Sequence, residues 1–299
     1  MVVVMSKSVN TSKKSTTVRL RERRVRAGRW LVQRCPRLGA LLLAELFVAP
    51  RTRVPKLASI TGVSQHEVRV GRRRVHVHLI GEGPLVVLVH GWQGGASQLV
   101  TLAESLRAAG FRVALFDMPA HGEAAGWSTS GVEFVSILER VAAELGPVHA
   151  VVGHSLGGTA ALLALARGVP MAGAVAVAPM PSFDFAVRNY ARAYGLPPRA
   201  KELLSRRLVA RLGLQPRDFD LAAVTLPGPA LLVHDRLDRA IPWRHSHRLR
   251  ERWPGVRVFE TVGFGHNRVL DAENVAHAIV EFLCALPGAG ALSSALSPS

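Results

Sequence analysis

From residue 67 onward the apolar residues fall into short runs separated by longer amphipathic stretches. The first runs alternate: Val68 and Val70, then Val75, Val77 and Leu79, with polar residues between them and Gly71 at the turn. Alternation of period two on both sides of a glycine predicts an antiparallel hairpin. Next, Leu85-Val86-Val87-Leu88-Val89 is apolar at every position, as suits a strand covered on both faces. Similar runs follow at Val113–Phe116, Ala150–Val152, Ala174–Ala178, Ala230–Val233 and Val256–Val262. Helix-length segments at 96–109, 131–145, 156–167, 243–253 and 271–285 lie between most of them. Strand and helix in alternation predict an α/β fold with a mostly parallel central sheet flanked by helices. Such sheets bind ligands beyond the carboxyl ends of their strands, so the chemistry is expected in the turns there.

One interval is too long for a simple crossover. Between Ala178 and Ala230, Val187, Tyr190, Ala191 and Tyr194 form one helical stripe, and Leu204, Leu208 and Leu212 form another. Gly195-Leu196-Pro197-Pro198 separates the two. We read 181–224 as a small helical lid inserted into a domain spanning 67–286; two ordinary packing helices are the plainer alternative. Before the domain, residues 29–66 read as a helical segment. The spacing from Trp30 to Phe47 is helical, with breaks expected near Pro36 and Gly39, and its apolar side is expected to pack on the domain. Residues 1–28 read as a disordered basic tail and 287–299 as a flexible one.

The formal net charge of +17 raises the question of nucleic acid, but its distribution argues against that partner. Residues 1–30 carry nine Lys or Arg against the single Glu22, and the remaining excess is scattered arginine. The basic start allows at most a weak, peripheral membrane contact. It also places an apolar patch, Val2 to Val4, before the charge, the reverse of a secretory signal. Leu38–Val48 is about half the length needed to span a bilayer. A cytoplasmic enzyme is the expectation. Cys35 and Cys284 lie far apart and in no metal spacing, which predicts free or buried thiols.

Gly153-His154-Ser155-Leu156-Gly157-Gly158 follows the run Ala150–Val152 and opens a helical stretch. Strand, sharp turn and helix is the setting in which a serine hydroxyl is exposed as a nucleophile. The flanking glycines let backbone approach closely, and the helix behind directs its positive end at charge developing near Ser155. A serine needs a base. His266, in Gly263-Phe264-Gly265-His266 after the last predicted strand, is placed to supply one. An imidazolium in turn needs a carboxylate. Asp235 and Asp238 both follow Leu231-Leu232-Val233; Asp238, farther into the loop, is favoured, with Asp235 expected to hold the loop through local hydrogen bonds. For the oxyanion, Leu156 N–H is one donor and Trp92 N–H, in His90-Gly91-Trp92-Gln93-Gly94-Gly95, is the second. His90 and His121 read as structural.

These stretches resemble the α/β-hydrolase superfamily over about 67–286. His90-Gly91-Trp92 is similar to its oxyanion turn, Gly153 to Gly157 to its nucleophile elbow, and Asp238 and His266 to its acid and histidine, in the family's chain order. Asp117-Met118-Pro119-Ala120-His121-Gly122 is similar to its Asp-x-Pro-Gly-His-Gly turn, with Ala120 at a glycine position. No resemblance is visible in 1–66. The resemblance implies hydrolysis of an ester-like bond in a small-molecule acyl substrate through an acyl-enzyme, with no metal or organic cofactor. Serine at 155 argues against relatives that use aspartate there.

Acyl transfer, thioester or amide cleavage, and a non-catalytic binding role on the same fold are the other readings. His76 with His78, and His245 with His247, have no completing cluster and predict no metal site. The lid is basic, with Arg188, Arg192, Arg199, Lys201, Arg206, Arg207, Arg211 and Arg217, which suits either a solvated face or an acidic acyl substrate. Met180, Phe183 and Phe185 are candidates for an acyl pocket or for lid core.

Overall fold

The structure, a computed structural model, describes residues 27, 30–50 and 63–289. The basic stretch 1–26 and the end, 290–299, where tails were expected, lie outside the described residues.

Eight strands form one sheet in the spatial order β1-β2-β4-β3-β5-β6-β7-β8. They are β1 (Ser64–Val70), β2 (Arg73–Ile80), β3 (Leu85–Val89), β4 (Arg112–Phe116), β5 (Val148–His154), β6 (Met171–Val177), β7 (Ala230–Asp235) and β8 (Val256–Thr261). The β1–β2 hairpin pairs Val68 with Val75 across Gly71, whose φ of 57° lies in the left-handed region the turn needs. β2 also runs antiparallel to β4, and every pairing from β4 to β8 is parallel. All five residues of β3 are buried, as its unbroken apolar run demands. β5 is longer than its apolar centre because two histidines extend it: His149 is buried and donates through Nε2 to Leu283 O at 2.9 Å.

The helices are α1 (Pro36–Phe47), α2 (Val100–Ala108), α3 (Gly131–Leu145), α4 (Leu156–Ala166), α5 (Phe183–Tyr194), α6 (Pro198–Leu212), α7 (Arg244–Arg252), the short α8 (Gly265–Arg268) and α9 (Glu273–Cys284). Two apolar cores result. One packs α2 and α9 on one face of the sheet; the other packs α1, α3, α4, α5, α6 and α7 on the opposite face. α4 is buried all round except at its last residue, Ala166, consistent with a sequence of small and apolar residues without an amphipathic stripe.

Two expectations need correction. The segment 96–109 begins with a 3-10 turn at Ala96–Leu99 before α2. In the N-terminal segment the break falls at Cys35, before Pro36, whose missing N–H is tolerated in a first turn. Gly39 breaks nothing: it lies inside α1 where a Cβ would collide with Val32 at 2.6 Å, so glycine is there for close packing. At the other end Leu286 and Ala289 are still buried against the body. Cys35 and Cys284 are free thiols. No helix among the described residues is long and apolar enough to cross a membrane.

Candidate active site at the strand ends

The carboxyl ends of β3, β5, β7 and β8 each carry one part of the site. At the end of β5 the chain turns sharply into α4, and Ser155 sits on the turn at φ 53°, ψ −114°. A non-glycine residue there is strained, and the neighbours hold it in place. Ser155 N–H donates to Val177 O at 2.8 Å, and its own carbonyl accepts from Thr159 N–H at 3.1 Å and from Met180 N–H at 3.3 Å. Glycine at 157 is obligatory, since a Cβ would enter the carbonyls of Val89 and His90 in the turn after β3. Elbow and β3 turn are therefore backbone against backbone.

That contact positions two amide donors. Neither Trp92 N–H nor Leu156 N–H donates a hydrogen bond among the described residues, while their neighbours Gln93, Gly94 and Ser155 all do. The β3 turn is braced from below by two buried histidines. His90 accepts from Met118 N–H at 2.9 Å through Nε2 and donates to Gly91 O through Nδ1 at 2.8 Å. His121 accepts from Gln93 N–H at 3.0 Å and donates to Pro119 O at 3.1 Å. Burial pushes both imidazoles down to about 4, which keeps them neutral and able to accept; for His121 the neighbouring His90 adds to the effect. Ala120 takes the left-handed conformation, φ 63°, that the glycine position calls for.

Asp238, in the loop after β7, has a side chain with no exposed surface. Its Oδ1 accepts from Ala240 N–H at 2.8 Å and Ile241 N–H at 2.9 Å. Its Oδ2 accepts from His266 Nδ1 at 2.7 Å. Burial alone would raise this carboxyl's pKa, but hydrogen bonds from His234, His266 and Ile241 outweigh it and hold the group well below the usual carboxylate range. Asp238 is thus the partner of His266. Asp235 is the loop holder: it accepts from Leu237 N–H, Thr261 Oγ1 and Phe264 N–H, each within 3.0 Å. The last of these bonds pins the loop that carries His266. Gly263 and Gly265 in that loop have φ of 102° and 69°, values that side chains avoid.

Two residues passed over in the sequence join this assembly. His154 donates from Nε2 to the His266 carbonyl at 2.8 Å, with the two rings 4.8 Å apart. It fastens the histidine loop to the residue just before Ser155. Burial, and then the nearby His266, push His154 down to about 3. His234 accepts from Ser246 Oγ at 2.7 Å, so its Nε2 is the protonated nitrogen; that nitrogen donates to Ile241 O at 2.9 Å and lies 3.5 Å from Asp238 Oδ2. Their sequence signal was only an imidazole beside a candidate site residue. The structure brings Asp238 and His266 into contact and sets His266 over His154, next to Ser155; among the described residues no hydrogen bond links Ser155 Oγ to His266.

A family model described as alpha/beta hydrolase fold matches residues 84–219. A pimeloyl-acyl-carrier protein methyl ester esterase from Xanthomonas campestris pv. campestris is 30% identical over 256 residues, covering 71% of this chain and all of the relative. The chain belongs to the α/β-hydrolase family. Solved structures agree on the fold. An esterase from Pyrococcus furiosus superposes with a TM-score of 0.62 at 19% identity, over 79% of this chain and 97% of that one. Est1E from Butyrivibrio proteoclasticus gives 0.58 at 19% identity, over 73% and 97%. This α/β-hydrolase is a hydrolase of the esterase type.

Beside the elbow of this α/β-hydrolase lies a cavity of about 220 Å³. Trp92 and Leu156 line it, with Met180 and Phe183 from the chain leading into α5 and Phe47 and Val48 from the end of α1. Phe185, grouped with Met180 and Phe183 in the sequence, points elsewhere and packs edge-on to His245 at 5.0 Å. Among the described residues no group of three His, Cys, Asp or Glu side chains could hold a metal.

Proposed function

We propose that this hydrolase cleaves an acyl ester by nucleophilic catalysis at Ser155. The observation that carries the reading is the 2.7 Å bond from His266 to a fully buried Asp238, held beside a strained serine. Ser155 Oγ attacks the acyl carbon as His266 Nε2 takes its proton. Asp238 keeps Nδ1–H in place and stabilises the imidazolium. The carbonyl oxygen, now negative, lies between Trp92 N–H and Leu156 N–H, two donors with no competing partner. His266 returns the proton to the leaving alcohol, giving an acyl-enzyme. Water then attacks by the same route and restores Ser155. In resting enzymes the serine–histidine bond is often long and tightens only with substrate bound.

The acyl chain fits the cavity between the elbow and α1, and helices α5 and α6 act as its lid. Relatives are named for an ester of an acyl chain on a carrier protein. Acidic groups on such a carrier would meet a basic lid, where Arg192, Arg199, Lys201 and Arg207 have no carboxylate partner among the described residues, unlike Arg188, Arg206, Arg211 and Arg217.

The test is Ser155→Ala. It is expected to fold normally, to lose labelling by a fluorophosphonate, and to hydrolyse activated acyl esters at least ~10³-fold more slowly. Wild-type rates in the purified variant would reject the assignment. Product analysis with an added alcohol or thiol separates hydrolysis from acyl transfer.

A further inference from the structure

Among the described residues, four of the seven large apolar side chains left exposed lie between Trp30 and Leu42. Leu38, Leu41 and Leu42, at helical positions i, i+3 and i+4, form one stripe along α1, and each keeps 37–49% of its surface in solvent. The opposite side of the helix, Gly39, Ala40, Leu43 and Ala44, is buried against the domain. The helix is thus already docked by one face, and the leucines belong to the other. Other surface helices are built differently: α3 turns Ser136, Arg140 and Glu144 to solvent, and α7 turns Arg244, Arg248 and Glu251. Single exposed apolar residues are ordinary, but adjacent ones mark a surface that meets something else.

The charge around the stripe has one sign. Arg34 and Arg37 are exposed, and Arg37, Leu38, Arg199 and Leu203 line one open hollow between the start of α1 and α6. Trp30, just ahead of the helix, has the Arg34 guanidinium 5.8 Å from its ring centre. The nearby carboxylates are spent. Glu45, next along the stripe, pairs with Arg211 at 2.9 Å, and Glu202 on α6 pairs with Arg206 at 2.8 Å. The chain that leads into this segment carries eight more Lys or Arg against one Glu over residues 1–26.

We propose that the outer face of α1 seats the protein on an anionic lipid surface, with Leu38, Leu41 and Leu42 at the boundary of headgroups and acyl chains and the arginines at the phosphates. Stable peripheral binding takes two signals, an apolar insertion and a basic cluster, and here the two adjoin. Attraction to an anionic surface adds up over the charges and asks for no fixed geometry, which suits a basic stretch without pattern. A second copy is a poorer occupant. Its own rim would carry the same positive charge, and three partly exposed leucines with one tryptophan fall short of the ~800 Å² per partner that a stable interface buries. An acidic protein would meet the arginines but would need a matching apolar groove for the leucines, whereas a bilayer offers apolar depth at every point. The proposal stands whether or not Ser155 is a nucleophile.

The experiment sediments the full chain with vesicles of phosphatidylcholine alone and of phosphatidylcholine with about one-third phosphatidylserine. The wild type is expected to pellet with the phosphatidylserine vesicles alone, and less so as salt rises. The triple variant Leu38→Ser, Leu41→Ser, Leu42→Ser, checked for an unchanged melting midpoint, is expected to bind at least roughly tenfold more weakly through lost apolar burial. The single variants Leu38→Ser and Leu42→Ser, each about twofold to threefold weaker, carry the test if the triple variant is destabilised. Undiminished binding by the leucine variants would mean that charge alone holds the protein, and overturns the proposal. So does wild type that binds neither vesicle or both equally. Self-association, or capture of an acidic protein, that the leucine substitutions abolish in a chain without lipid binding assigns the face to a protein partner and overturns it as well.

Discussion

Asp235 and Asp238 are three residues apart and chemically identical, and only their surroundings separate their work. Asp235 is spent on Leu237, Thr261 and Phe264, with no imidazole among its partners. Asp238 keeps one oxygen for His266. Asp238→Asn is therefore expected to lower kcat by about 10²–10⁴, because an amide cannot fix the Nδ1–H tautomer as a carboxylate does. Asp235→Asn should instead act mainly through stability, and equal losses of kcat in stable variants of both would contradict the division. Ala120 offers a test of backbone strain. Its φ of 63° costs an L-residue more than a glycine. Ala120→Gly should stabilise the fold by about 0.5–1 kcal/mol, after allowing for the greater freedom of glycine in the unfolded chain. Urea denaturation gives the number; a destabilised variant would show that the strain is relieved elsewhere.

At the scale of elements, the β3 turn depends on two neutral imidazoles. His90 and His121 accept backbone N–H groups through nitrogens that a proton would occupy. Their folded pKa values, about 4, lie below the 6.5 of an unfolded histidine. As pH falls, the unfolded chain binds protons first, so stability is complete above about pH 7 and is lost from 6.5 downward. Between pH 7.5 and 5.5 each histidine should cost about 1 kcal/mol, and His154 acts in the same direction. Asp238, depressed in turn, holds its share of stability above the ordinary carboxylate range and loses it as the pH falls through that range. Denaturation midpoints at the two pH values check this; identical midpoints would mean that the imidazoles are not the acceptors drawn here. The helical pair α5 and α6 was legible as two stripes because Val187 and Ala191, then Leu204 and Leu208, are buried at helical spacing. The break near Pro36 was legible because proline opens a helix rather than continuing one, whereas Gly39 was misread as a breaker because its contact is one only the folded chain reveals.

For the molecule as a whole, sequence patterning carried the sheet and the four strand-end turns, since a strand buried on both faces has to be apolar throughout and the chemistry of the turns is local in sequence. Ser155, Asp238, His266, Trp92 and Leu156 were each read as site candidates within such a turn. What the sequence could not disclose were pairings between distant residues: His154 with His266, 112 positions apart, and Leu43 with Tyr190, 147 apart. Nor could it show that Thr129 joins the wall of the cavity beside the elbow, because nothing around it in the chain names that wall. The wall built by Phe47 and Val48 comes from a helix that precedes the sheet altogether, outside the stretch shared with the family model. If the cavity holds the acyl chain as proposed, part of its wall is thus carried by a segment apart from the strand-end turns, while Trp92 and Leu156 belong to both. Exchange of the leading helix between kindred enzymes would retune which chains are admitted while the cleaving apparatus stayed as it was.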